Sequence, residues 1–350
     1  MDIGEPPRDL FAGMTPEERK RANETAILEM AYDLSRFHSV TPRERPDFAL
    51  THWAGSKPFG VEITQLFIHE SQARFNLIPG YAHRLWSGDT HLHKKDVKVL
   101  QPVTVEVKDK EGNVRHTDLP AVLMETPGVA AFRSGLCDVI RTKTAKGYDA
   151  DEFTHLNLVI LDWFHLKFDA SKYLTDRFFD DDVRAALRDC PFREVFLIID
   201  NTMSAEQDDP DEPARQDARI IPLQLLLAME HVYVAGHMID KVCDGTLRDA
   251  AELNRLAIDH VSRVQGYGEP VECEGRPFLR YRGTLIEVSE QGVKVRDSAD
   301  YELSDYPIIA IPDRMDPEVE KRVTKEANAN VFGCGFAQRA NRPSSWSEEG

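Results

Sequence analysis

The chain lacks four things that would each point to a class of protein. No apolar run approaches the length of a bilayer span, so no transmembrane helix is expected. Residues 1–13 are polar and proline-containing, without the apolar core of a secretory signal, and read as a loose leader. The cysteines are few and scattered. Cys137, Cys190, Cys243, Cys273 and Cys334 show no paired spacing, which argues against a zinc knuckle or disulfide framework and suggests a reducing, cytoplasmic setting. Positive charge is in deficit: 43 basic residues face 60 acidic ones, a net charge of −17. That excludes a protein that grips nucleic acid over its whole surface. It leaves room for a local basic cleft, and points to a protein partner or a second copy as a further source of grip. No internal repeat and no phosphate-cradling glycine loop is present.

At 350 residues the chain can bury a full core, as one large domain or two modest ones. Thr15-Pro16-Glu17-Glu18 is a helix start, with Thr15 as N-cap, Pro16 at the first position and Glu18 closing a capping box. The helix is expected to run to about Phe37, with an apolar stripe of Ile27, Met30, Ala31 and Leu34. Glu24 falls at the edge of that stripe and Glu29 points away. The alternative for Glu24 is a solvated flank position.

Two short strands around a turn follow. Pro46 suits a strand's start, and Phe48, Leu50 and His52 alternate with Ala49, Thr51 and Trp53. Residues 54–58 carry turn chemistry. Phe59, Val61 and Ile63 then form one face, with Gly60, Glu62 and Thr64 on the other. A hairpin here brings Asp47 near Glu62. Two carboxylates that close repel unless something positive lies between them, and Mg²⁺ suits such oxygens.

The region 67–128 reads as an insertion, a channel wall or partner surface, with strands at Val97–Val107 and Val114–Met124. His91 and His93 form an HxH pair that is either a metal pair or two surface histidines. A helix over 129–147 has the buried stripe Phe132, Leu136, Val139 and Ile140. Lys143 lies mid-stripe, where a cation needs a partner or a polar pocket. Lys146 lies at the stripe's edge. Snorkelling near the helix C-terminus is the alternative. Residues 155–164 and 192–200 read as buried parallel strands joined by a helix over 171–189. Asp162 and Asp200 sit at the strand ends where open α/β sheets place ligands, and are rival candidates. Residues 204–216 form a charged loop. Residues 220–238 are apolar as either helix or strand. A helix over 246–264, short strands from 278 to 295 and a helix from Asp316 to about Ala329 complete a C-terminal α+β region.

Pro46-Asp47 and Glu62-Ile63-Thr64 resemble the two halves of the motif of the PD-(D/E)XK, or restriction-endonuclease-like, nuclease superfamily. Thr64 departs from the pattern, in the lysine's slot. Many members carry that lysine on the following helix, which would give its role to Lys143, with Lys146 as runner-up. The resemblance implies an α/β fold with a mixed central sheet flanked by helices over 14–203, interrupted at about 67–128. The α+β region at 219–333 and a tail at 334–350 would follow it. It further implies Mg²⁺, or Mn²⁺, held by Asp47, Glu62, the Ile63 carbonyl and Glu24. The activity it implies is cleavage of nucleic acid, DNA favoured, in a bacterial defence or restriction setting by fold analogy. No further strand is read between Phe37 and Pro46, although an antiparallel ribbon would need one. A catalytically inactive scaffold on the same fold, and an unrelated enzyme using Asp162 or Asp200, are the competing expectations.

Overall fold

The structure, a computed structural model, describes residues 13–53, 57–67, 69–108, 112–124, 128–163, 178–200, 218–243, 250–273, 276–289, 292–295, 309–310 and 316–329. The expected leader, the 204–216 loop and the tail lie outside these residues, apart from Gly13. The chain folds as a mixed α/β protein whose central six-stranded sheet is flanked by helices.

Helix α1 spans Pro16–Ala31 and opens with the expected capping box. The Thr15 N–H donates to Glu18 Oε2 at 2.8 Å, and the Glu18 N–H donates to Thr15 Oγ1 at 3.2 Å. It ends six residues before Phe37. A 3-10 turn at Leu34–Arg36 follows, and the chain then enters strand β1, Phe37–Pro42. This strand was not expected. The helical stripe gives out after Ala31, and β1 instead builds its pairing with β2, Phe48–His52, from Phe37 to Pro42.

Strand β2 pairs with β3, Phe59–Leu66, through three rungs only, Phe48 with Val61, Ala49 with Gly60 and Leu50 with Phe59. Proline at position 46 has no N–H to continue the ladder. Strand β6, Leu156–Asp162, runs parallel to β3, and β7, Glu194–Asp200, runs parallel to β6. The last strand, β8 at Ala218–Pro222, closes the sheet antiparallel to β7, giving the order β1-β2-β3-β6-β7-β8. The ambiguous apolar run is thus both kinds of structure, β8 followed by helix α6 at Leu223–Val242.

Alternation decides which face each strand residue serves. Phe59, Val61 and Ile63 pack with Phe48 and Leu50 against Ile27 and Leu28 of α1. The opposite face carries Ala49, Leu66, Leu158 and Ile160. They pack with Phe132, Leu136 and Ile140 of helix α4, Val129–Thr144. Each such buried side chain contributes about 1.5–3 kcal/mol. Of the helix expected over 171–189, the described part is α5, Asp181–Asp189, with Asp180 as its N-cap; residues 171–177 lie outside the described set.

The insertion holds helices α2, Glu70–Leu77, and α3, Tyr81–Trp86, with a two-stranded ribbon of β4, Gln101–Lys108, and β5, Val114–Leu123. It has its own small core of Tyr81, Leu85 and Leu100. Beneath that core Asp96 accepts from Tyr81 Oη at 2.7 Å and from Arg74 at 2.5 Å. The β4 strand starts four residues later than expected because Asp96–Lys98 forms a 3-10 turn.

Helices α7, Ala250–Arg263, and α8, Pro317–Ala329, and a five-stranded sheet complete the fold. That sheet comprises β9 (Glu269–Cys273), β10 (Arg276–Tyr281), β11 (Thr284–Ser289), β12 (Gly292–Val295) and β13 (Ile309–Ala310). Arg282 and Gly283 turn β10 into β11, both at positive φ (48° and 80°), as a two-residue hairpin turn requires. The Arg282 guanidinium donates to the carbonyls of Leu187 and Arg188 at 3.1 and 2.8 Å, to Cys190 at 3.0 Å, and to Phe192. It thereby caps the C-terminal end of α5.

Gly60 is the tightest position near the β2 start. A Cβ there would lie 2.5 Å from Pro46 Cγ and 2.6 Å from Leu156 Cδ2. Gly60→Ala is expected to lower stability by about 1–3 kcal/mol through overpacking. Urea denaturation measures this, and an unchanged midpoint would count against the packing described.

Candidate active site

The functional geometry follows from the short β2–β3 ladder. Beyond Val61 the edge of β3 has no strand partner on the β2 side, so the Ile63 peptide groups facing that way need other partners. Side chains supply them. The Ile63 N–H donates to Asp47 Oδ2 at 2.7 Å, and Lys143 Nζ donates to the Ile63 carbonyl at 2.8 Å. Asp47 lies one residue before β2, directly opposite Glu62 if the register is continued. Glu62 sits on the α4 face of β3, as the alternation expects.

Glu62 is 1% exposed, and its Oε1 accepts from both Lys143 Nζ at 2.6 Å and Lys146 Nζ at 2.8 Å. The five residues Asp47, Glu62, Ile63, Lys143 and Lys146 therefore meet, although they are drawn from the residue before β2, from β3, and from the end of α4 and the turn after it. Thr64, in the motif's lysine slot, lines the same cleft. The Lys143 ammonium, from the facing helix, makes the contacts to β3.

Glu24 is also there. It is buried, while Glu29 is exposed, which removes the solvated alternative. Its carboxylate pairs with Lys20 and Arg21, each at 3.4 Å. Arg21 also donates to the carbonyls of Asp47 and Arg43, both at 3.1 Å, and so ties α1 to the chain leading into β2. A cleft of about 700 Å³ opens over these groups. Its lining includes Glu24, Asp47, Ile63, Lys143 and Lys146, with Arg19 and Lys20 from α1.

The charges in the cleft perturb one another. Burial, and then the charge of Glu62, push the Asp47 carboxyl up to about 6, with Glu24 adding to the rise; the Ile63 N–H and Lys143 oppose it. Burial pulls the Lys143 ammonium below its ordinary value against the bond to Glu62. Burial also acts on Lys146, but there the hydrogen bond and charge of Glu62 prevail and the pKa rises. The Tyr148 hydroxyl, buried beside Glu62, is driven up by burial first, then by the charges of Glu62 and Asp47 and by its approach to the Glu62 carboxylate. Glu62 Oε2 is buried without a close hydrogen-bond partner.

Among the described residues no group of three or more His, Cys, Asp or Glu side chains is arranged to hold a metal ion. A donor set of two carboxylates and one carbonyl is what Asp47, Glu62 and Ile63 offer. It suits a hard cation with water completing the shell. Glu62 Oε2, which no hydrogen bond engages, and the mutual repulsion of Asp47 and Glu62 fit such an ion. The Ile63 carbonyl has a second lone pair beyond the one Lys143 uses.

The rival candidates lie elsewhere. His91 Nε2 contacts the Leu100 carbonyl at 2.7 Å, and His93 Nδ1 accepts from the Lys95 N–H at 3.2 Å, so each serves local structure in the insertion. Asp162 is buried at the end of β6 and does not line the cleft. The side chain of Asp200 lies outside the described residues. Sequence reasoning did not single out Arg21, Tyr148 or the cleft residue Phe67. The only signals were Arg21's place one turn before Glu24 and Tyr148's place two residues after Lys146.

Comparison with protein-family models, curated proteins and solved structures gives no match.

Asp47 binds its proton more tightly in the folded chain than in the unfolded one, where 3.8 applies. Stability is therefore lost as the pH rises from 3.8 through about 6, and the full cost is present above that. Asp47→Asn, which can still accept from the Ile63 N–H, is expected to stabilise the fold by about 1–2 kcal/mol at neutral pH. That gain should shrink as the pH falls through the same window. Thermal melts of both proteins across the window measure it, and a pH-independent difference would contradict the assignment.

Proposed function

We propose that the chain is a metal-dependent nuclease that hydrolyses phosphodiester bonds in this cleft, on a restriction-endonuclease-like core. The observation that carries the reading is the convergence of Asp47, Glu62 and Lys143, 96 residues apart at the extremes (143 − 47), at one open strand edge. Strand order supports it. An antiparallel β1-β2-β3 meander, then the lysine-bearing α4, then β6 parallel to β3, fits the arrangement that the motif resemblance implies.

Each side chain then has a role. Asp47, Glu62 and the Ile63 carbonyl would hold Mg²⁺ or Mn²⁺, with Glu24 bonding through water. When bound, such an ion supplies a water of lowered pKa and offsets charge growing on the phosphate oxygens. Lys143, whose ammonium burial makes more acidic, would donate from the α4 side to the oxygen charge that develops on the phosphate. Lys146 fixes the Glu62 carboxylate toward α4. Arg19 and Lys20 line the path of an incoming phosphate and offset the repulsion it would meet from Glu24 and Asp47.

A second reading, an inactive scaffold on the same fold, draws on one observation. Two ammonium groups already sit on Glu62 Oε1, so much of the pocket's charge is balanced from within. It requires that divalent ions leave the melting temperature unchanged.

The nuclease reading is tested with Mg²⁺ and Mn²⁺ on single- and double-stranded DNA and RNA. Wild type should cleave at least one substrate. Asp47→Ala, Glu62→Ala and Lys143→Ala should each lose about 10²-fold or more in rate while remaining folded by circular dichroism. Absence of cleavage by the wild type on all four substrates, or full activity in all three variants, would overturn it.

A further inference from the structure

We propose that the cleft takes one strand of nucleic acid, with a base stacked on Phe67, in preference to an intact duplex. The inference rests on the nuclease reading for its choice of ligand, but on different residues for its argument. The cleft, at about 700 Å³, falls within the small-ligand range of roughly 300–1,000 Å³. A nucleotide or two fits that space, whereas a duplex would first have to unpair to place a base inside it.

The lining mixes two kinds of residue. Arg19 and Lys20 of α1, with Lys143 and Lys146, supply cations beside the acids Glu24 and Asp47, in a chain whose net charge is −17. Phe67, Leu77 at the end of α2, Ile78 and Pro79 supply an apolar portion. Leu77 is 43% exposed and Met14, which also lines the cleft, is 41% exposed, so its mouth is apolar as well as charged. A charged track beside an aromatic plate is how single strands are held without sequence reading, because every base has a face to stack.

Phe67 is built as such a plate. It stacks on Trp163, with centroids 6.1 Å apart and planes 7° from parallel. Trp163 is fixed in turn. Its N–H donates to the Leu66 carbonyl at 3.0 Å, its indole N–H to Gln65 Oε1 at 2.7 Å, and its carbonyl accepts from Gln72 Nε2 at 2.5 Å. A ring held this way is pre-organised, so little side-chain entropy remains to be lost on stacking. Bases in an intact duplex are stacked on one another and offer no free face to Phe67.

The test is fluorescence anisotropy with a labelled oligonucleotide of about ten nucleotides, a length within known single-strand site sizes. The same sequence is offered single-stranded and as a blunt duplex, in DNA and RNA arms, with Ca²⁺ in place of Mg²⁺. The single strand should bind about tenfold tighter than the duplex in at least one arm. Phe67→Ala should weaken single-strand binding by about tenfold or more and leave duplex binding and the melting temperature nearly unchanged, whereas Phe67→Tyr should restore it. Equal or tighter duplex binding, no binding of either form, or full affinity in Phe67→Ala overturns the proposal. Single-strand preference without cleavage would remove the nuclease reading and leave this one standing. Duplex cleavage untouched by Phe67→Ala would do the reverse.

Discussion

Where β2 stops pairing with β3, the backbone of Ile63 loses a strand neighbour, and a buried N–H or C=O without a partner costs about 1–3 kcal/mol. The carboxylate of Asp47 and the ammonium of Lys143 take up those two groups. One residue of β3 thus holds the acid that precedes β2 by its N–H and a cation of α4 by its carbonyl. Pro46 ends the ladder, and the lysine in an apolar stripe finds its partners at the gap that the missing rungs leave.

The interruption concentrates charge where water is scarce. Glu62 is almost fully buried, and two lysines share one of its oxygens while the other has no close hydrogen-bond partner. Burying ions costs several kcal/mol each, and the return depends on geometry. The arrangement is only partly compensated, as the upward shift of Asp47 registers. A fold gains nothing in stability from holding a carboxyl in that condition. Groups perturbed by burial and by one another in a cleft make it a candidate functional site, although structural ion-pair networks shift titrations in the same way.

Much of this was legible in the residues because local rules and tertiary structure agree. The capping box at Thr15, the alternation through Phe59–Thr64, the buried stripe of α4 and the parallel pair β6 and β7 each follow from a period or a cap, whereas helix geometry left Glu24 and Lys143 with alternatives and the motif resemblance was needed to single them out. Strand β1 was not legible. Phe37–Pro42 is short and half-exposed, and it exists because β2 offers it an edge, which no local pattern states. The run from Ile220 failed for a related reason. Apolar residues occupy exposed positions here too, Ile220 and Tyr233 among them, so no periodicity separates β8 from α6 until their neighbours are known. Phe67 carried no signal because its role comes from Trp163, 96 positions away (163 − 67).

The Arg282 turn bears on how the molecule can be divided. Its guanidinium satisfies carbonyls at the end of α5 from a hairpin some ninety residues downstream, and Arg193 answers by donating to the Gly283 carbonyl at 2.6 Å. Strand β8 is contributed from the same later part of the chain. Cutting after Asp200 would strip β7 of its β8 neighbour and take away the guanidinium that serves the carbonyls at the end of α5, so the earlier part of the chain draws on the later one to complete both its sheet and a helix end.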